Sequence, residues 1–128
     1  MLKVKAYTDI FKIKMDGHSY YEKPGKDIVC AGASMLFYAL AKTLPDFETY
    51  LEEEPFIHID EGKGEDGNNA IIANIVAIPK KEFAGYFSIM FTQTLNGLQL
   101  LAEAYPENIS VELVKSTDEA KPPDEIKE

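Results

Sequence analysis

Hydrophobic and polar residues alternate from the first positions of the chain. Leu2, Val4 and Ala6 interleave with Lys3, Lys5 and Tyr7, and Phe11, Ile13 and Met15 interleave with Lys12, Lys14 and Asp16. A period of two marks a strand with one buried face, so the pattern predicts two half-buried strands. A turn at Thr8-Asp9-Ile10 would join them into a hairpin. Gly17, Pro24 and Gly25 punctuate residues 17 to 26 as a loop. From Asp27 to Leu44 the chain is rich in Ala, Leu, Met and Phe, with no proline before Pro45, which predicts a helix. Its apolar residues reach nearly every face, so it is expected to be buried on several sides, in part by a second subunit.

Pro45 to Pro55 reads as an acidic connection containing Glu52, Glu53 and Glu54. Phe56, Ile57 and Ile59 predict a short strand, "DEGKGEDGNN" a turn, and "AIIANIVAIP" a strand rich in β-branched residues, a second hairpin. Residues 81 to 104 have a helical pattern that Pro106 closes, and Ile109, Val111 and Leu113 alternate into a last strand. The order β-β-α-β-β-α-β predicts an α+β fold. Two helices on one face of a mostly antiparallel sheet of about five strands is the simplest two-layer solution. One domain is expected over residues 1–114, and the polar segment 115–128, "KSTDEAKPPDEIKE", is expected to be disordered.

Composition narrows the classes of function. A chain of 128 residues, 45% apolar, can build one core. Its net charge of −9, from 13 basic and 22 acidic residues, repels phosphate backbones. Nucleic acid is therefore a poor partner unless basic residues cluster in space, whereas a basic peptide or protein tail is a good electrostatic match. No stretch holds the roughly 18 to 20 uninterrupted apolar residues of a spanning helix. The alternating N-terminus also lacks the apolar block of a signal peptide. A single cysteine cannot close an internal disulfide, and the expected setting is cytoplasmic, with no membrane partner and no cofactor.

That cysteine is the main candidate for chemistry. Cys30 falls in the first turn of the predicted helix, where unpaired backbone N–H groups and the helix dipole favour a thiolate. His18 lies twelve residues upstream in a glycine-flanked loop able to fold back over the helix start. A histidine there could take the thiol proton and later protonate a leaving group. On composition alone, however, a lone cysteine in an alanine-rich helix is more often a small buried hydrophobe. Asp27 either caps the helix or orients His18. Ser34, one turn after Cys30 on the same face, either lines the site or packs toward the sheet.

The run "DGHSYYEKPGKDIVCAGAS" resembles the signature of the ribosomal-processing cysteine proteases, the Prp family. The matching residues are Gly17-His18, then Gly25, Asp27-Ile28-Val29-Cys30-Ala31, and Ser34. The order of predicted elements over residues 1 to 114 is also similar. The resemblance implies a cysteine protease with Cys30 as nucleophile and His18 as general base and acid. It further implies a homodimer that removes an N-terminal extension from a large-subunit ribosomal protein after an aromatic-rich sequence, or that processes a phage structural protein. Tyr20 and Tyr21 are candidate contacts for an aromatic peptide, and the Val29 and Cys30 N–H groups for oxyanion stabilisation. The chain departs from the family in its acidic connection, its polar tail, and Pro24 beside Gly25.

Two rival readings need no protease. Cys30, His18, His58 and Asp60 are zinc-binding residue types, but their spacing fits no compact zinc pattern, so no metal is expected. A non-catalytic dimeric binding module of the same fold would need no reactive thiol.

Overall fold

The computed structural model describes residues 1–18, 28–63 and 69–118. Five strands form one sheet: β1 (Leu2–Tyr7), β2 (Phe11–Gly17), β3 (Phe56–Lys63), β4 (Asn69–Ala77) and β5 (Ile109–Val114). Two helices, α1 (Ile28–Thr43) and α2 (Ala84–Ala104), complete the expected β-β-α-β-β-α-β order. Across the sheet the strands run β3-β4-β2-β1-β5. Every neighbouring pair is antiparallel except β1 with β5, which run parallel.

The alternation in β1 and β2 resolves into two faces. Leu2, Val4, Ala6, Ile13 and Met15 are buried under the helices. Lys3, Lys5, Lys12 and Lys14 occupy the alternate positions, and the Lys12 Nζ lies 5.0 Å over the Tyr7 ring. Burying the apolar row while leaving the lysines outside fixes the register, because a slip of one residue would exchange the faces. β4 supplies Ile71, Ala73, Ile75 and Ala77 to the same core, and Phe37 and Phe87 fill it from α1 and α2.

The helices cross through reciprocal small-to-large contacts. A β-carbon on Gly32 of α1 would lie 3.3 Å from Leu101 Cδ1, and one on Gly97 of α2 only 2.7 Å from Leu36 Cδ2. Each glycine therefore makes room for a leucine of the other helix. α1 turns Val29, Ala33, Phe37 and Leu40 into the core and leaves Ile28, Met35 and Tyr38 exposed. Together with the following turn it is long and apolar enough in composition to cross a membrane, but its apolar face is packed against the sheet.

Three segments differ from their sequence pattern. Residues after α1 are no loose connection: Leu44–Tyr50 form a 3₁₀ helix with proline near its start, where a missing N–H is tolerated. The Glu52 N–H then donates to the Ile78 carbonyl at 2.8 Å, and the Lys80 N–H to the Tyr50 carbonyl at 2.9 Å. Interleaved with the acidic residues, Leu44, Leu51, Phe47 and Tyr50 bury in or pack against the core. Tyr50 meets Phe83 at 4.5 Å between ring centroids, so aromatic packing holds this segment to the start of α2.

Second, β3 is longer than the Phe56–Ile59 run suggested. It continues through Glu61 to Lys63 because the ladder to β4 extends through Glu61↔Ile71, Gly62↔Ala70 and Lys63↔Asn69. Third, Ser116–Asp118 after β5 form a short 3₁₀ turn. The Ser116 N–H and hydroxyl donate to the Asp9 carboxylate at 2.9 and 2.6 Å, tying this turn to the β1–β2 bend. The remainder of the polar tail, residues 119–128, lies outside the described residues.

Candidate active site

The site begins where β2 ends. Gly17 pairs with Leu2 on one side and with Ile71 on the other, so it closes two ladders at once. Its φ of +114° is a conformation that L side chains rarely adopt. A β-carbon at this point would also run into the carbonyl oxygen of Met1. Only glycine fits both demands, and the turn it makes sets the half-buried His18 just past the end of a sheet strand.

Cys30 lies in the first turn of α1, half-buried and packed against the core beside the fully buried Val29. One turn further along, Ser34 is 5% exposed and donates its hydroxyl to Glu61 Oε1 at 3.4 Å. One turn beyond that, the Tyr38 hydroxyl donates to Glu61 Oε2 at 2.8 Å. Residues four apart share a helix face, so Cys30, Ser34 and Tyr38 form one column.

Sheet register relates this column to His18. Glu61 pairs with Ile71, and Ile71 pairs with Gly17. The three residues form one row across β3, β4 and β2, which places Gly17 and Glu61 about 10 Å apart at two inter-strand spacings. The Gly17 row thus reaches, through Glu61, the Ser34–Tyr38 stretch of the helix whose first turn carries Cys30. Asp27, Gly25, Tyr20 and Tyr21 lie outside the described residues.

The Tyr38 hydroxyl is held above its ordinary titration range. Its hydrogen bond to Glu61 is the main cause, burial and the negative charges of Glu61 and Asp60 adding to it. The phenol keeps its proton because a tyrosinate would face a carboxylate. Glu61 and Tyr38 were not singled out by sequence reasoning. Tyr38 could have been found as the residue two turns beyond Cys30, but Glu61 sits in a run that reads as a turn. Only the β3–β4 register brings it to the helix.

His58 and Asp60 occupy alternate positions on exposed β3, opposite Asn74 and Ile72. Among the described residues, no group of three or more histidine, cysteine, aspartate or glutamate side chains is gathered to hold a metal ion.

The sequence profile described as cysteine protease Prp matches residues 1–110. The chain belongs to the Prp cysteine protease family. Among solved structures it is similar to the Prp ribosomal processing protease of S. aureus in complex with a covalently linked product peptide. That likeness has a TM-score of 0.63 at 22% identity, over 89% of this chain and all of the other. The same S. aureus Prp protease with a substrate peptide gives a TM-score of 0.59 at 21% identity and 89% coverage. SMU.848 from Streptococcus mutans gives 0.65 at 20% identity, over 91% of this chain and 96% of that one. These structural likenesses establish a shared fold. No curated protein matches the chain in sequence. The Prp match spans the Gly17-His18 and Cys30 positions and both helices, leaving most of β5, the last turn and the tail beyond it.

Proposed function

We propose that this Prp family member is an endopeptidase that removes an N-terminal extension from a large-subunit ribosomal protein, or trims a phage structural protein, after an aromatic-rich sequence. The observation that carries this reading is the Prp match over the segment containing both Cys30 and His18. The S. aureus protease bound to substrate and product peptides supports a peptide as the ligand.

In this reading His18 removes the Cys30 proton, and the thiolate attacks the scissile carbonyl carbon. Negative charge moves to the carbonyl oxygen, where the Val29 and Cys30 N–H groups would receive it. The carbonyl re-forms as the C–N bond breaks, and the departing amine takes its proton from His18. Water, deprotonated by His18, then attacks the thioester and releases the acid and the free thiol. In the same reading Asp27, Gly25 and Ser34 support the pair, and Tyr20 and Tyr21 contact the aromatic side chains of the peptide. The protein works as a homodimer in the cytoplasm, with the exposed Ile89 and Leu100 of α2 as a surface for self-association.

The deciding experiment incubates the protein with an N-terminally extended ribosomal protein and reads intact mass. Loss of one defined N-terminal segment is expected, with none from Cys30→Ala or His18→Ala. Cleavage that survives in Cys30→Ala would sink the nucleophile assignment. Sedimentation of the wild type against Ile89→Glu/Leu100→Glu tests the dimer.

A further inference from the structure

The proposed chemistry leaves Glu61 without a task, although it stands in the same row as Gly17 and beside the helix that carries Cys30. Among the described residues two hydroxyls, those of Ser34 and Tyr38, donate to its carboxylate. A carboxylate offers about four lone-pair sites, so two hydroxyl donors leave room for a charged donor. The hydroxyls also fix its position in advance, which lowers the ordering cost of capturing a ligand. Asp60 adds a second negative charge next in sequence.

The surroundings suit one kind of side chain. Tyr38 is 40% exposed beside the carboxylate, and the half-buried Ile59 precedes Glu61 by two residues on the same, helix-facing side of β3. An apolar border around a fixed anion fits a long aliphatic stem ending in a positive head. Lysine and arginine have that form. The net charge of −9 favours the approach of basic peptides as well.

Position along α1 sets the spacing. Ser34 and Tyr38 are one and two turns from Cys30, so the carboxylate lies about 6–12 Å along the helix from the thiol. An extended peptide advances about 3.3 Å per residue, which converts that interval to about two to four residues. We propose that Glu61 is a specificity-determining residue that binds a lysine or arginine of the peptide about two to four positions from the bond being cut. The proposal rests on the reading of Cys30 as nucleophile, which places the scissile bond.

The test uses matched fluorescent peptides with an aromatic pair at the cut and either lysine or glutamine at each position from two to four residues away. Binding to Cys30→Ala protein is read by anisotropy, and cleavage by active protein as kcat/KM. At one position, lysine is expected to tighten binding about five- to tenfold over glutamine. Glu61→Gln should bring that ratio close to one, and Glu61→Lys should reverse it toward a glutamate-bearing peptide. Tyr38→Phe, which keeps the charge but frees the carboxylate, should reduce the ratio in part and guards against a misfolded charge reversal. A lysine preference unchanged in Glu61→Gln, or no preference in the parent protein, overturns the proposal. A Glu61-dependent preference in binding without any cleavage would overturn the protease reading while leaving the basic-residue subsite in place.

Discussion

Gly17 and Met1 are in contact so close that a β-carbon on the first would strike the carbonyl oxygen of the second. The Met1 carbonyl has little freedom to retreat, because the next residue's N–H, that of Leu2, donates to the Asn108 carbonyl at 2.9 Å. Gly17→Ala therefore meets both a steric barrier and a φ of +114°. It is expected to lose about 1–3 kcal/mol of stability. Activity should fall further than stability does, since His18 follows directly. Urea denaturation and peptide cleavage, compared at a temperature where the variant is folded, separate the two losses.

Helix crossing gives a second test. Alanine normally improves a helix interior over glycine by up to about 1 kcal/mol. At Gly97 the added carbon would come within 2.7 Å of Leu36, so α1 or the leucine must move. Gly97→Ala is expected to destabilise by about 1–2 kcal/mol. Gly85, in the first turn of α2, has nothing within 4 Å of an added carbon. Gly85→Ala should instead stabilise by about 0.5 kcal/mol, and denaturation midpoints of the pair should move in opposite directions.

Tyr38 provides a spectroscopic prediction. Its hydroxyl titrates above the ordinary value of 10.0 in the folded protein. A raised acid pKa means that the hydrogen bond to Glu61 contributes below the unfolded value and is lost as pH rises through the folded one. In an ultraviolet titration one tyrosine should ionise late, and Glu61→Gln should return it toward the ordinary range. A late tyrosine that persists in Glu61→Gln would assign the shift to some other cause.

Asp9 responds to the opposite limb. The Ser116 side-chain and backbone hydrogen bonds hold its carboxyl below the ordinary 3.8. Its contribution is present above the unfolded value and disappears as pH falls through the lower folded one. The expected result is a Ser116 amide proton that loses protection in acid in the parent protein, and that in Asp9→Asn is less protected already at neutral pH and shows no such acid step. Equal exchange in both proteins at neutral pH would show that the carboxylate does not hold the turn.

Much of the architecture was legible in residue patterns. Alternation at Leu2–Ala6 and Phe11–Met15 specifies strands through burial on one face, and that signal is local. What depended on tertiary contacts was hidden. Glu61 looks like turn residue because its neighbours are glycine and acid, yet ladder pairing with Ile71 carries it into β3. Leu44 and Leu51 stand among charges in the sequence, and their burial comes from this segment packing onto the core. Cys30 and His18 stand out as candidates because the Prp-like run that holds them is continuous in sequence, while helix start and glycine corner alone left the cysteine as plausible a buried hydrophobe. The carboxylate facing Ser34 and Tyr38 had no local signature.

One consequence follows from how the two proposed catalytic groups are mounted. His18 is fastened to the sheet through the Gly17 ladders, while Cys30 rides on α1, whose hold on the sheet comes from Val29, Ala33 and Phe37. The gap between thiol and imidazole is thus a direct gauge of helix docking. Thinning the core under α1, as Phe37→Ala would do at about 3–5 kcal/mol, lets the helix ride up before the sheet itself opens. On warming, thiol chemistry should fade ahead of the loss of strand signal, making the enzyme's own turnover the earliest alarm of a loosening fold.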